Sequence, residues 1–533
     1  MYKYLLFGGK KWTQLIHNGV LLAPPYQVHQ QPVIINNQEI KLTPLEEEFL
    51  TYYAKYLDTI YVENPKFNKN FYNDFLKLSS NPIFKSTKLE NIDFTPIINH
   101  INKQKEIKNN LSPEQKEKIK NIKLLEEEKY QYALLDGEKV KVGNYRIEPP
   151  GIFLGRGKHP LIGKIKKRIN HNDITLNLSK DAPVPSGDWK EIIHDNNAEW
   201  LAKWKDPITN KTKYMFLSME SPLKASSDEA KFNLARKLIN KIKSIREKYL
   251  LDIQNNNLVY QQLGVALYLI DELALRVGSK KKETEADTVG VTSLRVEHII
   301  ILNDKEIKLD FLGKDSIRFC KVISLPELIH QRIKQFMDKK DKSDQLFDLI
   351  DNKMLNNYLE QFMKGLTAKV FRTFKASFTF QKEINKINLS KLDNLSPNDK
   401  INFLMSMVNQ ANASVATLCN HQKVMNQRFN EQVEKLEEKI KNYKQKIKKL
   451  KEKKNNKDKI DNYQNKIILI KEKIQEKKSL KNISLGTSKT NYIDPRILIS
   501  FAKRNNIPLE KLFTPSLLNR FKWAIDINPE FQF

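Results

Sequence analysis

The chain has 533 residues, and its 92 Lys and Arg against 63 Asp and Glu give a formal charge of +29. A chain of this length is too long to fold around one simple hydrophobic core. The positive charge favours a polyanionic partner, although charge alone does not separate DNA from RNA or a membrane surface. Two cysteines, Cys320 and Cys419, exclude a disulfide scaffold and a cysteine zinc site. The chain has no apolar run of membrane-spanning length, and the apolar stretch at its N-terminus is too short for a signal peptide, which predicts a soluble intracellular protein.

The first part of the chain, residues 1–182, mixes short strand-like runs with charged helical ones. Its stretch from Lys103 to Tyr130 is almost all charged or helix-forming, which predicts one solvated helix. From residue 183 the pattern predicts a compact, mostly helical α+β domain, with strands at YMFLSME and HIIILNDKEIKLDFLG. Three stretches have helical periodicity: Glu229–Tyr249, Tyr260–Arg276 and Met354–Lys364.

Apolar residues repeat at alternating spacings of four and three through residues 429–450, and the pattern resumes through 460–474. The polar run KEKKNNKDK separates the halves, with Asn455-Asn456 as the turn. This heptad pattern predicts a basic, antiparallel coiled-coil hairpin over residues 426–482. An intermolecular coiled coil is the alternative, and the short break favours the hairpin. Residues 483–533 are predicted to form a small helical domain, with a turn at Asp494-Pro495 and a helix over Leu509–Asn519.

Several kinds of catalytic motif are absent. The phosphate-binding motif G-x-x-x-x-G-K-[ST] is absent, and the nearest candidate, GKDS at 313–316, lacks its glycine-rich beginning. The sequence therefore does not predict an ATP-driven motor. HExxH and CxxC are missing, the nine histidines are scattered, and no tight cluster of acids suits a two-metal nuclease. We therefore expect no cofactor and no metal, and side chains must supply any chemistry on a phosphodiester.

Long motifs run in order through the chain: EPPGIFLGRGKHP, SKDAPVP, WKEIIHDN, ALYLIDELALRVG, ADTVGVTSLRVEHI, DFLGKDSIRF, GLTAKVFRTFKAS, CNHQ and LGTSKTNYIDPRI. Each closely resembles a segment of eukaryotic-type DNA topoisomerase IB, at similar spacing. The resemblance covers nearly the whole chain from about Trp12 to the final FKWAIDINPEFQF. It implies that the protein nicks one DNA strand, lets supercoils relax and reseals the strand without ATP or metal.

The resemblance also implies the catalytic residues, which are Arg276, Lys314, Arg372, His421 and Tyr492. A tyrosine that attacks a phosphodiester conserves the bond energy in a phosphotyrosyl ester, formed with the 3′ end in this family. Two guanidinium groups and an imidazole can hold the non-bridging oxygens, and a lysine ammonium can protonate the leaving 5′-oxygen.

Each of these residues also has an ordinary structural interpretation. Arg276 ends a predicted amphipathic helix, where a surface arginine is common, and Lys314 follows Gly313 in a predicted strand turn. Arg372 lies in a basic run, and Tyr492 could serve packing alone. His421 near Cys419 invites a metal interpretation, which two ligands without partners leave weak. Their joint occurrence inside matching motifs favours catalysis.

Further matches imply DNA-binding residues. Arg156, in GRGKHP, resembles the arginine that reaches toward the bases beside the cleavage site. Asp315 and Asn491 flank Lys314 and Tyr492. Lys180 lies in the SKDA motif at the expected junction of the two lobes, where a solvated loop lysine is the alternative.

The chain also departs from the family pattern. Leu154 replaces a usual arginine, so contacts of the first lobe with DNA are expected to be weaker. KVMNQ replaces the prolines that usually follow CNHQ. The long charged N-terminal tail of the nuclear enzymes is missing, which puts nuclear import in doubt. We expect a nuclear location for a cellular protein, or a virion or cytoplasmic replication site for a viral one.

Together these features predict a monomeric two-lobed clamp around double-stranded DNA. The expected domains are a DNA-binding cap lobe (1–182), a tyrosine-recombinase-like catalytic core (183–425), the hairpin (426–482) and a domain that carries the nucleophile (483–533). A tyrosine recombinase and a non-catalytic architectural DNA-binding protein are the rival hypotheses. The EPPGIFLGRGKHP motif and the hairpin disfavour the first, and the complete catalytic set disfavours the second.

Overall fold

The structure is a computed structural model that describes residues 9–389, 396–422, 429–451 and 457–533. The chain divides into two compact units, one formed by Met1–Ser227 with Lys281–Thr288 and the other by Asp228–Lys280 with Val289–Phe533. Helices and small sheets occur together, which confirms the α+β class. None of the helices in the described ranges is long and apolar enough to cross a membrane.

The first unit contains short strands joined mostly by antiparallel pairing. Its strands are β1 Leu15–His17, β2 Val33–Ile35, β3 Gln38–Ile40, β4 Tyr132–Leu135, β5 Glu138–Lys141, β6 Gly151–Ile152, β7 Ile165–Lys166, β8 Ile174–Asn177, β9 Glu191–Ile193, β10 Trp200–Lys205 and β11 Thr212–Phe216. Its helices are α1 Pro44–Ala54, α2 Pro65–Leu78, α3 Ile83–Ser86, α4 Thr95–Asn109 and α5 Pro113–Gln131.

A four-stranded sheet in the order β11-β10-β8-β9 belongs to the first unit. Strand β8 pairs with β10 through Leu176 and Ala202, and both residues are fully buried in one core. The expected boundary at 182/183 would cut this sheet, because β8 precedes that boundary and its neighbours follow it. The first unit instead continues to Ser227.

The expected single helix over 103–130 is wrong, because α4 ends at Asn109 and α5 begins at Pro113. Ser112 accepts a hydrogen bond from the backbone of Gln115, whose side chain binds back to the Ser112 N–H. This capping box, with proline in the first turn, is a strong helix start.

The second unit is mostly helical, and it begins at Asp228, within helix α6. Its helices are α6 Pro222–Lys237, α7 Ile242–Ile253, α8 Leu258–Leu273, α9 Glu327–Met337, α10 Asn352–Glu360, α11 Ala368–Asn385, α12 Pro397–Leu418, α13 Phe429–Lys451, α14 Lys457–Ser479, α15 Leu485–Asn491, α16 Pro495–Arg504, α17 Leu509–Leu512 and α18 Pro515–Arg520. One antiparallel sheet joins β12 Ile299–Ile301, β13 Glu306–Leu312 and β14 Arg318–Ser324.

Two predicted helices of this unit are interrupted. The stretch 229–249 divides at a 3-10 turn over Leu238–Asn240, and the stretch 509–519 divides between Leu512 and Pro515. Thr514 caps α18 and Pro515 occupies its first turn, so the second break had a signal in the sequence. The first break has neither proline nor glycine.

Helices α13 and α14 lie side by side and run in opposite directions. Tyr443 stacks on Tyr463 with ring centroids 5.3 Å apart, and Lys477 donates to Gln432 at 3.0 Å. Three apolar residues of the predicted heptads are buried between polar faces: Val433, Ile467 and Ile474. The predicted turn at Asn455-Asn456, the KVMNQ segment and the boundary at 425/426 lie outside the described residues.

Candidate active site

A cavity of about 120 Å³ in the second unit collects most of the predicted catalytic residues. It lies where the end of α8, the β13–β14 turn, α11, the end of α12 and α15 meet. Its lining includes Arg276, Lys314, Asp315, Arg372, His421 and Thr487. Cationic side chains therefore converge from segments that are far apart in the sequence.

Arg276 reaches the cavity because α8 stops early. The helix ends at Leu273, and Ala274 adopts a left-handed conformation with φ 49°. Arg276 thus follows the helix and does not end it, contrary to the sequence interpretation. Its carbonyl packs against Gly290, where an added Cβ would lie 2.6 Å from that oxygen. Only glycine permits this approach, which holds the Arg276 backbone in place.

Lys314 lies in the turn between β13 and β14, as predicted. Asp315 and Ser316 both have positive φ, 66° and 59°, and they reverse the chain. Non-glycine residues adopt this region infrequently, so two in succession indicate a tightly specified turn. Lys314 and Asp315 are exposed and line the cavity from this side.

Arg372, on α11, is the most enclosed cation of the cavity, with 5% of its surface exposed. Its Nη1 donates to the Ala274 carbonyl at 2.9 Å, and its Nη2 donates to the Cys419 carbonyl. Its Nε is buried and makes no hydrogen bond within the described structure. Burial, with the nearby charge of Arg276, lowers the pKa of Arg372. A buried guanidinium with an unused donor is suited to bind an anion.

His421 follows the end of α12 and contacts both Arg372 and α15. Its Nε2 lies 3.2 Å from Nη2 of Arg372, and its Nδ1 lies 2.7 Å from Oγ of Ser488. Burial, with the charges of Arg372 and Arg276, lowers the pKa of His421 to about 3. The imidazole is therefore neutral at physiological pH.

Tyr492 lies between α15 and α16 and completes the group. Its ring centroid is 5.2 Å from that of His421, and Cζ of Arg372 is 5.0 Å from the tyrosine ring. Two backbone contacts fix the segment: the Tyr492 N–H donates to the Ser488 carbonyl at 2.9 Å, and Ser377 Oγ donates to the Tyr492 carbonyl at 3.0 Å. The structure thus brings all five predicted catalytic residues together.

The segment that bears Tyr492 is held by apolar packing and buried ion pairs. Ile493 and Ile497 are fully buried in a core shared with α11 and α12. Arg520 donates to Asp228 at 2.8 Å, and Arg496 pairs with Asp494 at 2.7 Å. These contacts give the tyrosine a defined position although it belongs to the end of the chain.

The predicted DNA-binding residues lie in several places. Asn491 is exposed beside Tyr492, its side chain donates to the Thr487 carbonyl at 3.2 Å, and it is not part of the cavity lining. Arg156 and Lys180 belong to the first unit, where both are exposed. Arg156 lies in the loop between β6 and β7, and Lys180 in a turn after β8.

Sequence reasoning missed Ser488, whose side chain contacts the ring of His421 and whose carbonyl binds the Tyr492 N–H. Its position four residues before the tyrosine, one helical turn away, was the available signal. No group of three or more His, Cys, Asp or Glu in the described ranges is placed to hold a metal ion.

Two arginines, a lysine and a neutral histidine line one small cavity, and a tyrosine packs against the histidine and one of the arginines. This arrangement is typical of proteins that act on phosphate esters. Comparisons with known families agree with it. The protein-family model described as eukaryotic DNA topoisomerase I, catalytic core, matches residues 220–454. The DNA binding fragment of that family matches residues 10–217, and a C-terminal topoisomerase domain matches 464–533.

Individual relatives extend this similarity over almost the entire chain. DNA topoisomerase 1 beta of Arabidopsis thaliana is 43% identical over 99% of this chain and 60% of its own length. DNA topoisomerase 1 of Caenorhabditis elegans is 40% identical over 97% and 67%, and that of Homo sapiens 37% over 98% and 72%. The chain therefore belongs to the eukaryotic DNA topoisomerase I family. It spans 60% of the length of each of the two Arabidopsis relatives.

Proposed function

We propose that the protein is a type IB DNA topoisomerase. Tyr492 attacks a phosphodiester of duplex DNA and forms a 3′-phosphotyrosyl bond, while the 5′-hydroxyl end is released. Rotation of that end removes positive or negative supercoils, and attack by the 5′-hydroxyl restores the strand and frees the tyrosine. The main support is the contact of Tyr492 with Arg372 and His421 beside a cationic cavity, in a chain of this family.

The side chains suggest a division of roles. Arg372 and Arg276 hold the non-bridging oxygens of the phosphodiester, and the unused Nε of Arg372 supports this role. His421 donates a further hydrogen bond to the same oxygens. Lys314, exposed on its turn, protonates the leaving 5′-oxygen. The phosphotyrosyl ester stores the energy of the broken bond, so neither ATP nor metal is required in this scheme.

The remaining expectations belong to the same proposal. The cap lobe and the catalytic core enclose DNA as a clamp, with phosphate contacts that make binding strongly dependent on salt. Arg156, Lys180, Asp315 and Asn491 contact DNA. Helices α13 and α14 form a basic coiled-coil linker, and the helical segment after it delivers the tyrosine. The protein acts as a monomer inside the cell, in the nucleus if the source is cellular.

Relaxation of plasmids tests this proposal. The protein is incubated with positively and, separately, negatively supercoiled plasmid in EDTA without ATP, and both should relax. Tyr492→Phe should bind DNA with similar affinity yet form no covalent adduct, because only the nucleophilic hydroxyl is lost. Failure of the parent protein to relax either plasmid would refute the proposal, and an adduct in the variant would assign the nucleophile elsewhere.

The same samples separate the rival functions. An architectural DNA-binding protein would bind without any covalent adduct. A tyrosine recombinase would exchange strands between paired sites, which gel analysis of two marked duplexes detects. Relaxation without exchange is the outcome expected here.

A further inference from the structure

Ser488 is a buried serine that contacts the histidine of the site through its side chain and the tyrosine through its backbone. Its side chain lies 2.7 Å from Nδ1 of His421 and is fully enclosed. Its carbonyl accepts the N–H groups of Tyr492 and Ile493 at 2.9 and 3.0 Å. The same residue therefore contacts the imidazole and fixes the backbone that presents the nucleophile.

The contacts of His421 define which ring nitrogen bears the proton in this structure. Nη2 of Arg372 faces Nε2 at 3.2 Å, and a guanidinium can only donate. Nε2 must therefore accept. Because a neutral imidazole has one N–H, Nδ1 bears the proton and donates to Ser488 Oγ.

This tautomer does not suit the proposed reaction. A phosphate oxygen only accepts hydrogen bonds, so His421 can contact it through Nε2 only when Nε2 bears a proton. The ring then has a bare Nδ1 in a buried position, and a bare buried acceptor needs a donor. A serine hydroxyl can accept from Nδ1–H in one orientation and donate to Nδ1 in another.

We propose that Ser488 is a positioning residue for His421, and that its hydroxyl turns from acceptor to donor when a phosphodiester occupies the cavity. Arg372 then donates to the phosphate oxygens and leaves Nε2, which donates to the same group. The imidazole stays neutral, because Nδ1 releases one proton to water and Nε2 takes one from water. This inference rests on the proposed topoisomerase reaction and adds a residue to it.

Nitrogen NMR of histidine observes the tautomer directly. Protein with ¹⁵N-labelled histidine is compared free and bound to a short DNA duplex, with Tyr492→Phe used in both samples to prevent cleavage. The His421 signals are those lost in a sample that also has His421→Gln. The proton should reside on Nδ1 in the free protein and on Nε2 in the complex. The same tautomer in both samples, or protons on both nitrogens in the complex, would overturn the proposal.

Kinetics provide the second test. Ser488→Ala should slow single-turnover cleavage of a suicide duplex about 10- to 100-fold, by analogy with the loss seen when the hydrogen-bond partner of a metal-bound histidine is removed. Ser484→Ala is the matched control, since it removes a hydroxyl at the start of α15 that contacts Thr487 instead of the histidine ring. The control should retain the parent rate, and both variants should keep the parent DNA affinity.

A double mutant distinguishes an effect through His421 from general damage. In a His421→Gln background, Ser488→Ala should change the cleavage rate no more than about twofold, because no imidazole remains to be positioned. An unchanged loss in that background would overturn the inference. If Tyr492→Phe is inactive and Ser488→Ala is fully active, only this inference fails. If the parent protein neither cleaves the suicide duplex nor relaxes plasmid, the proposed function fails.

Discussion

His17 in the first unit and His421 in the second are both buried, and burial lowers the pKa of each, to about 4 and about 3. Their partners differ. Nε2 of His17 donates to the Asn177 carbonyl at 3.0 Å, and its Nδ1 accepts from the Gly19 N–H at 3.1 Å. His421 instead meets two side chains, Arg372 and Ser488.

The difference separates a structural residue from one that can act. Backbone partners of His17 cannot change their roles, so one tautomer is fixed and the ring joins β1 to the end of β8. The side-chain partners of His421 can rotate or move to a ligand without breaking secondary structure. A depressed histidine pKa therefore indicates burial in both units, and the nature of the partners indicates which histidine belongs to a site.

The largest effect is expected where a half-buried arginine, Arg168, is compared with the buried Arg372. Arg168, in the first unit, donates to the carbonyls of Ala23 and Pro24 and pairs with Glu48, whereas Arg372 keeps an unused donor beside the cavity. Arg372→Ala should reduce the single-turnover cleavage rate on the order of 10³-fold, because a preorganised donor pair is lost. Arg168→Ala should lower the melting temperature and preserve cleavage by the folded protein. Equal cleavage rates in the two variants would contradict the distinction.

The histidines themselves should show a smaller contrast. His421→Gln should slow cleavage roughly 100-fold, as the loss of one oxyanion donor does, with little change in stability. His17→Gln should leave the cleavage rate intact and destabilise the protein by about 1–3 kcal/mol, since backbone groups lose a buried partner. Suicide-substrate kinetics and urea unfolding measure the two effects. A cleavage defect in His17→Gln at full folding would remove the contrast.

Acid should produce the mildest effect. The folded-state pKa values of His17 and His421 both lie below the ordinary 6.5. As pH falls, these two side chains therefore bind protons in the unfolded chain before they do so in the folded chain. The free energy of unfolding should then decrease below about pH 6.5, by about 1.4 kcal/mol per pH unit for each such histidine. Burial lowers the pKa of His29 and His159 as well, so single variants are informative. Urea midpoints between about pH 6.5 and 4.5 should fall less steeply in His17→Gln and in His421→Gln. If the urea midpoint of a variant falls with pH as steeply as that of the parent, the replaced histidine does not contribute to the loss of stability in acid.

Local patterns were enough to predict several elements but not their interruptions. The turn at Lys314 and the helices on either side of residues 452–456 followed from alternation and heptad spacing. The end of α8 could not be predicted, because left-handed Ala274 lacks the glycine that usually marks such an end. Pro113 did mark the start of α5, and the charged composition around it concealed the break.

The site shows a similar division. Its five catalytic candidates came from the resemblance, since nothing local in Arg276 or Tyr492 distinguishes them from surface or packing residues. Their convergence depends on contacts such as that of Arg372 with the Cys419 carbonyl, 47 residues away. Ser488 was missed because a serine inside a short helix has no chemical signal until its partner is known.

The two glycines near Arg276 also bear on how this chain tolerates change in length. An added Cβ on Gly290 would lie 2.4 Å from the Gly278 nitrogen, so the two backbones touch where the chain leaves and re-enters the second unit. Between them, Lys281–Thr288 is an excursion that belongs to the first unit. The contact between the two glycines closes this loop at its base. Insertions or deletions within Lys281–Thr288 should therefore change the loop-closure entropy by little and should not displace Arg276.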